Sequence, residues 1–249
     1  AVWLLGPLVK ANGFGFLLIY AAASLPLAQM SDRGRYGTVI TCALTLWSAM
    51  TALGAFVASG WQLMLSRMGV AVGEAAGMPA SHAFITRNFP QDRQTAAISV
   101  FNLSLPLGSM AGFVIGGVVG QAIGWRQTFL AMGLFGLALA ATAWFVMPRA
   151  AAPEPETAKQ ANLSLFGFVP LLRKKSMVLI LAGSALLGTG GYTATAFTPA
   201  FLMRSHDLSL AEAGLRFGIA GGIAAAASLL LIGWLADRLS RRDPRWLPG

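Results

Sequence analysis

Residues Leu27 to Gly37 read LAQMSDRGRYG, where an apolar run gives way to Asp32-Arg33-Gly34-Arg35. The pattern returns near the other end of the chain, at Leu231 to Asp243, as LIGWLADRLSRRD. Each copy sets an Asp-Arg pair just beyond an apolar helix end and follows it with further arginines. A motif tied to a helix end, used twice, marks an internal repeat. What the repeat means depends on the apolar runs around it.

A helix that crosses a bilayer needs about 20 mostly apolar residues. Such runs lie at 13–30, 38–58, 63–86, 95–122, 128–147, 177–203 and 213–236. Residues 1–9 (AVWLLGPLV) read as the last turns of another span. Of the 18 Lys and Arg residues, 13 fall in alternate gaps, at 31–37, 87–94, 148–176 and 237–249. The remaining gaps hold only Lys10, Arg126 and Arg204, while Arg67 and Arg216 lie within or at the rim of spans. Basic gaps face the cytoplasm, so both Asp-Arg copies sit on that side and the repeat is parallel. Parallel repeats related about the membrane normal are a transporter architecture.

Composition agrees. The chain of 249 residues is 56% hydrophobic and only 11% charged, against roughly 25% charged for soluble domains. Mean hydropathy is +0.66. The net charge of +9 is explained by the polar gaps, so it does not indicate nucleic acid. One cysteine, Cys42, excludes an internal disulfide and a cysteine metal cluster. His82 and His206 have no metal-ligand spacing, and no cofactor is implied. The fold class is all-α, a polytopic membrane helix bundle.

The repeat predicts three segments: an N-terminal six-helix half over 1–147, a cytoplasmic linker over 148–176, and two spans of a second half over 177–249. On that reading the complete protein continues for four more helices and begins earlier in its first. Within the linker, PRAAAPEPETAKQAN reads as flexible. The following LSLFGFVPLLRKKS reads either as an amphipathic stretch along the membrane face or as an entry ramp to the next span.

Enzyme motifs are missing: no G-x-x-x-x-G-K, H-E-x-x-H or G-x-S-x-G occurs. No filter loop or charge ring suggests a channel. A non-transporting membrane sensor fits the same sequence as a carrier.

Arg67 and Glu74 are ionisable groups inside the span at 63–86, and Glu74 is the only acid within any span. Charge in hydrocarbon is costly, which makes intramembrane charges functional candidates. Seven residues put the two on nearly one face, about 10 Å apart along the axis. They read as an anion-attracting group and a proton-exchanging one, or alternatively as charges neutralised by neighbouring helices. In the span at 177–203, Tyr192 and Thr195 lie among glycines in a stretch suited to an interrupted helix, where transporter substrates bind. Hydroxyls bonded to their own backbone are the alternative. His82 reads as a hydrogen-bonded helix residue or a proton relay. Glycines recur every four residues at Gly69, Gly73 and Gly77, at Gly108 to Gly124, and at Gly214, Gly218 and Gly222. This spacing lets helix backbones approach closely.

Asp32-Arg33-Gly34-Arg35 resembles the loop signature G-x-L-A-D-R-x-G-R-R of the major facilitator superfamily. LWSAMTALGAFVASGWQLMLSRMGVAVGEAAGMPASH (Leu46–His82), FNLSLPLGSMAGFVIGG (Phe101–Gly117), GWRQTF (Gly124–Phe129), PAFLMRSHDLSLAEAGL (Pro199–Leu215) and GWLADRLSRRDPRW (Gly233–Trp246) resemble its spinster-like branch. The chain departs from the signature at Ala28, in place of its first Gly, and at Tyr36-Gly37, in place of two basic residues. The resemblance implies a major facilitator fold and a proton-coupled secondary transporter working by alternating access. Its substrate would be a small amphipathic or anionic solute, such as a lysophospholipid or sphingoid phosphate, or a drug or organic anion for export. It assigns Asp32, Arg33, Arg35, Asp237 and Arg238 to a cytoplasmic gate, latched by a carboxylate that caps a helix N-terminus or bridges to an arginine; simple topological charge is the alternative. It also implies a monomer in a bacterial plasma membrane, with the bilayer, a solute and protons as its partners.

Overall fold

The computed structural model describes residues 2–147 and 172–240, with side chains omitted at 2–14, 232–237, 239 and 240. The expectations for the linker up to residue 171, for the Asp237 side chain and for the arginines beyond Ser240 lie outside the described residues. What is described is helical throughout: α1 Val2–Met30, α2 Tyr36–Leu53, α3 Gly60–Glu74, α4 Gly77–Asn88, α5 Gln91–Ile123, α6 Trp125–Val146, α7 Lys175–Ser205 and α8 Leu210–Ser240. A backbone in hydrocarbon must satisfy its own hydrogen bonds, and helices do so within one segment.

Five stretches are long and apolar enough to span a membrane: Gly15–Phe56, Gln91–Ile123, Trp125–Val146, Lys175–Ser205 and Leu210–Leu231. The first has 42 residues, about 63 Å of helix against a core of about 30 Å. It is two crossings. At Ser31–Arg35 the chain leaves α1 and enters α2 through Gly34, whose φ of 86° lies in the left-handed region that glycine adopts without penalty. α3 and α4, with 15 and 12 residues, are each too short alone and form one further crossing. Pro79 explains why they are separate elements. It has no N–H to give the Ala75 carbonyl, and its ring crowds that carbonyl. The turn is tightened instead by a bond from the Ala76 amide to the Gly73 carbonyl at 3.2 Å.

Two boundaries differ from the sequence reading. α1 is one helix of 29 residues, so the break expected at 10–12 is not there. Gly13 alone costs a helix only about 1 kcal/mol relative to Ala, less than abandoning satisfied backbone bonds in hydrocarbon. Asp237 and Arg238, expected just past a helix end, lie within α8. No proline or glycine intervenes between Trp234 and Ser240 to stop it.

The described residues form two compact units, one within Ala1–Gln94 and Trp125–Ala185, the other within Thr95–Gly124 and Leu186–Gly249. In the first, α2 is central. Val39, Ala43, Ala76 and Ala80 make its core, with Leu27, Ile40 and Trp47 against them. α3 meets α2 through glycine: a Cβ on Gly73 would stand 2.8 Å from the Ala43 carbonyl oxygen and 2.9 Å from Trp47 Cβ. α6 meets α2 more closely still, with Gly133 against the Ala52 backbone and Gly136 against Ser48. Arg126 ties the start of α6 to the α2–α3 connection. It donates to the Val57 carbonyl at 2.9 Å and lies 4.2 Å from the Trp125 ring.

In the second unit α5 and α8 close on each other. A Cβ on Gly117 would lie 3.0 Å from Gly214 Cα. The α8 N-terminus is fixed by a reciprocal cap. The Ser209 amide and hydroxyl donate to Glu212 at 2.9 and 2.8 Å, and the Glu212 amide donates to Ser209 Oγ at 3.3 Å. Large apolar side chains such as Phe145 and Leu187, 84% and 80% exposed, present the surface a bilayer would cover.

Candidate functional site

Three places bear on function, and each lies within one unit. The first is the turn that opened the sequence reading. Asp32, Arg33 and Arg35 are exposed there, while Ser31, Gly34 and Tyr36 are buried. Ser31 Oγ donates to the Leu27 carbonyl at 2.8 Å. The turn is held by the end of α4: Arg87 donates to the Asp32 backbone carbonyl, and Asn88 Nδ2 donates to the Tyr36 hydroxyl at 3.1 Å. The Tyr36 ring stands edge-on to Phe84 at 5.8 Å, and Phe84 in turn to Phe89 at 6.4 Å. Sequence reasoning looked to the Asp32 carboxylate for this latch. The bond from Arg87 reaches its backbone carbonyl instead, and Arg87, Asn88 and Tyr36 were passed over. Their signal was present: a basic residue and an amide end the crossing that lands beside the turn, and Tyr36 stands where the family signature has a basic residue.

The second place is the charged face of α3. Arg67 is half-buried, and its guanidinium lies 5.7 Å from the Phe16 ring of α1. Glu74 ends α3, exposed, immediately before the Pro79-induced turn. Gly73 packs against α2, and one residue is about 100° of helix rotation, so Glu74 is carried off the packed seam. Among the described residues no ion pair joins Arg67 to Glu74. Arg67 is thus brought to an aromatic face and Glu74 is left accessible. His82 is half-buried on α4, and its backbone carbonyl accepts from Thr86 Oγ1 at 3.0 Å.

The third is a cavity of about 390 Å³ between α5 and α8, with Thr195 of α7 at its edge. Ligand pockets run from about 300 to 1,000 Å³, so this one admits a single chain or ring system. Its wall is apolar apart from Asn102, Ser109 and Thr195, and carries no charged side chain. Its shape comes from helix contacts. α5 and α8 touch backbone to backbone at Gly117 and Gly214, then through Gly218 and Gly222 against Phe113 and Met110. Phe113 and Phe217 stack edge-on at 4.8 Å. The cavity is lined from Asn102 to Phe113 on α5 and from Phe217 to Leu229 on α8, and Pro106 lies within that stretch of α5. The cavity is therefore a wedge of space between two helices, bounded past Phe113 by the Gly117–Gly214 contact.

Tyr192 and Thr195 do not behave alike. α7 runs unbroken from Lys175 to Ser205, so the interruption expected near Gly188–Pro199 is absent. Tyr192 is 74% exposed and does not line the wedge. Thr195 lines it, with its hydroxyl bonded to the carbonyls of Gly191 and Tyr192 at 3.1 and 3.0 Å. The glycine ladder on α5 also divides: Gly108, Gly112 and Gly116 face open space, and Gly117 makes the contact.

Known proteins resemble the chain over about half to nearly all of its length. An "MFS-type efflux pump" of Mycolicibacterium smegmatis is 44% identical over 242 residues, covering 95% of this chain and 55% of that protein. A sphingosine-1-phosphate transporter of Danio rerio is 30% identical over 125 residues, 49% of this chain and 25% of that protein. A crystal structure of a bacterial homolog to the human lysosomal transporter spinster, inward-facing and unoccupied, superposes with a TM-score of 0.74 at 26% identity. It covers 93% of this chain and 54% of its own. The chain thus spans about half the length of the first of these relatives. The match of residues 7–248 to the family profile, together with the helical crossings and the Asp-Arg turn, shows that this integral, multi-pass chain belongs to the Major Facilitator Superfamily, a family of transporters and not of enzymes.

Proposed function

We propose that the complete protein is a secondary transporter that exports an amphipathic solute across the plasma membrane by alternating access. The observation that carries this reading is the wedge: an uncharged, mostly apolar cavity with a few polar side chains, in a chain matched along its length by the superfamily profile. Export as the direction is supported by the 44% identity to a protein named as an efflux pump. A lipid-like substrate, a lysophospholipid or sphingoid phosphate, is the second reading. It is supported by the sphingosine-1-phosphate transporter and by the spinster homolog structure.

In this account Arg67 receives an anionic group and Glu74 exchanges the coupled proton, with His82 on the next helix as a relay. Thr195 contacts solute in the wedge, and Tyr192 lies outside it. Asp32, Arg33 and Arg35, with Asp237 and Arg238, form the cytoplasmic gate. The six-helix half at 1–147, the linker at 148–176 and the start of a second half at 177–249 are its working parts, in a monomer.

The test uses the full-length protein in inverted membrane vesicles. A fluorescent cationic dye and a fluorescent lysophospholipid are offered separately under an imposed proton gradient. Accumulation of either, abolished by a protonophore, is the expected result. Movement of neither under any gradient would refute the transport reading, and the lysophospholipid alone would favour the second.

A further inference from the structure

We propose that Gly221 sets the bulk of the apolar body this protein accepts, by keeping the floor of the α5–α8 wedge free of side chains. The inference rests on the wedge being the solute site of the proposed function. Three glycines of α8 line it, and they differ in what a side chain would meet. On Gly218 a Cβ would lie 3.0 Å from Phe113 Cβ and 3.1 Å from the Met110 carbonyl oxygen, and on Gly222 it would lie 2.6 Å from Met110 Cβ. Those two are needed for helix contact. Gly221 lines the same cavity, yet a Cβ there would meet nothing within 4 Å. Packing does not call for glycine at this position, and a helix favours almost any other residue by up to about 1 kcal/mol. The space in front of Gly221 is left empty at the expense of the helix.

The chemistry of that space names its occupant. One end is bounded by the Phe113–Phe217 pair and the Gly117–Gly214 contact, and suits hydrocarbon alone. At the other end stands Asn102, one of three polar side chains of the lining with Ser109 and Thr195. From Asn102 to Phe113, the first and last residues of α5 that line the cavity, the axis rises about 17 Å, long enough for an extended chain. The occupant is therefore a single-chain amphipath, with its tail toward Phe113 and a polar group toward Asn102. A side chain grown from Gly221 would occupy part of the tail's path.

The test measures competition by lysophosphatidylcholines of increasing saturated chain length against transport of a fluorescent lysophospholipid, with the full-length protein in proteoliposomes. In the wild type each added methylene strengthens competition by up to about fourfold, the equivalent of ~0.8 kcal/mol per buried CH₂, until the wedge is full and the trend levels off. Gly221→Leu places four carbons in the wedge, so the levelling should come about four methylenes earlier, with short-chain competitors unaffected. Gly221→Ala should shift it by about one methylene. Gly108→Leu, a matched change at an open position outside the lining, should leave the profile as in the wild type. A wild-type profile in Gly221→Leu overturns the proposal, as does an equal loss at every chain length. Should the wild type transport none of these lipids, the lipid reading of the proposed function fails on its own. The wedge is then judged by the same chain-length profile read from thermal stabilisation of the detergent-solubilised variants.

Discussion

Replacing Gly133 by Ala would add a single methyl group where α6 crosses α2. Its Cβ would stand 2.6 Å from both Cα and Cβ of Ala52, and closer still to the Ala52 amide nitrogen. Carbon atoms rest at about 3.5–4.0 Å, so the two backbones must separate by about 1 Å. A gap of that size forfeits a quarter to a half of the attraction between facing atoms, and Gly136 against Ser48 lies in the same seam. Overpacking of this kind costs about 1–3 kcal/mol, here at the upper end because the obstacle is backbone. Alanine's better helix propensity returns about 1 kcal/mol. The net loss is about 2 kcal/mol, or about 4–8 °C in the unfolding midpoint for a chain of this size. Gly112→Ala is the control, since nothing lies within 4 Å of its Cβ; only propensity changes there, and the midpoint should rise by about 1–4 °C. Helical circular dichroism of the full-length protein in micelles would record both. Shifts of the same sign, or a wild-type midpoint for Gly133→Ala, would refute a backbone-to-backbone seam between α2 and α6.

Arg87→Ala releases the Ser31–Arg35 turn from α4, so a cysteine placed at Arg35 in a Cys42→Ser background should label several-fold faster; an unchanged rate would mean the turn is held by other groups. Tyr36→Phe keeps the buried ring but leaves Asn88 without its hydroxyl acceptor, and should lower stability by about 1 kcal/mol in the same unfolding assay. Ser209→Ala removes half of a reciprocal cap worth about 1 kcal/mol, and hydrogen exchange at the first amides of α8 should accelerate while α5 amides stay protected. Glu74→Gln in the full-length protein should preserve expression and abolish the pH response of transport, since Gln keeps the shape but carries no titratable proton. A full pH response in that variant would return Glu74 to a structural part.

The crossings were legible in the sequence because hydrocarbon forces backbone bonds inward and so ties span length to apolar run length. The Asp-Arg turn was legible because an apolar run stops there at a short gap carrying Asp32, Arg33 and Arg35. Packing was less so. Gly69, Gly73 and Gly108, Gly112, Gly116 share a spacing, yet only the first set meets a neighbour. Spacing defines a face of a helix, whereas contact depends on where the next helix stands. Gly133 and Gly136 escaped notice because they are three apart rather than four. Tyr192 and Thr195 lie three residues apart on α7, and only Thr195 lines the wedge, which a sequence without helix rotation cannot separate. Pro79 was readable all along. Its missing N–H predicts the turn below Glu74, and the apolar run concealed it.

The division of the third crossing into α3 and α4 bears on how the chain is made. Neither piece spans a bilayer, since 15 residues give about 22 Å and 12 give about 18 Å. Arg67, Glu74 and the proline turn all fall in this one segment. At the translocon, an arginine or an acid near a helix centre adds roughly 2.5–3.5 kcal/mol to the free energy of partitioning. Left alone, such a segment would linger at the channel rather than move into lipid. α1 and α2 emerge before it, and they supply the partners it needs: Phe16 for the guanidinium, and Ala43, Trp47 and Met50 for the glycine face. The crossing that carries the charges is thus one that earlier helices must escort into the membrane, and the order of synthesis has them waiting when it arrives.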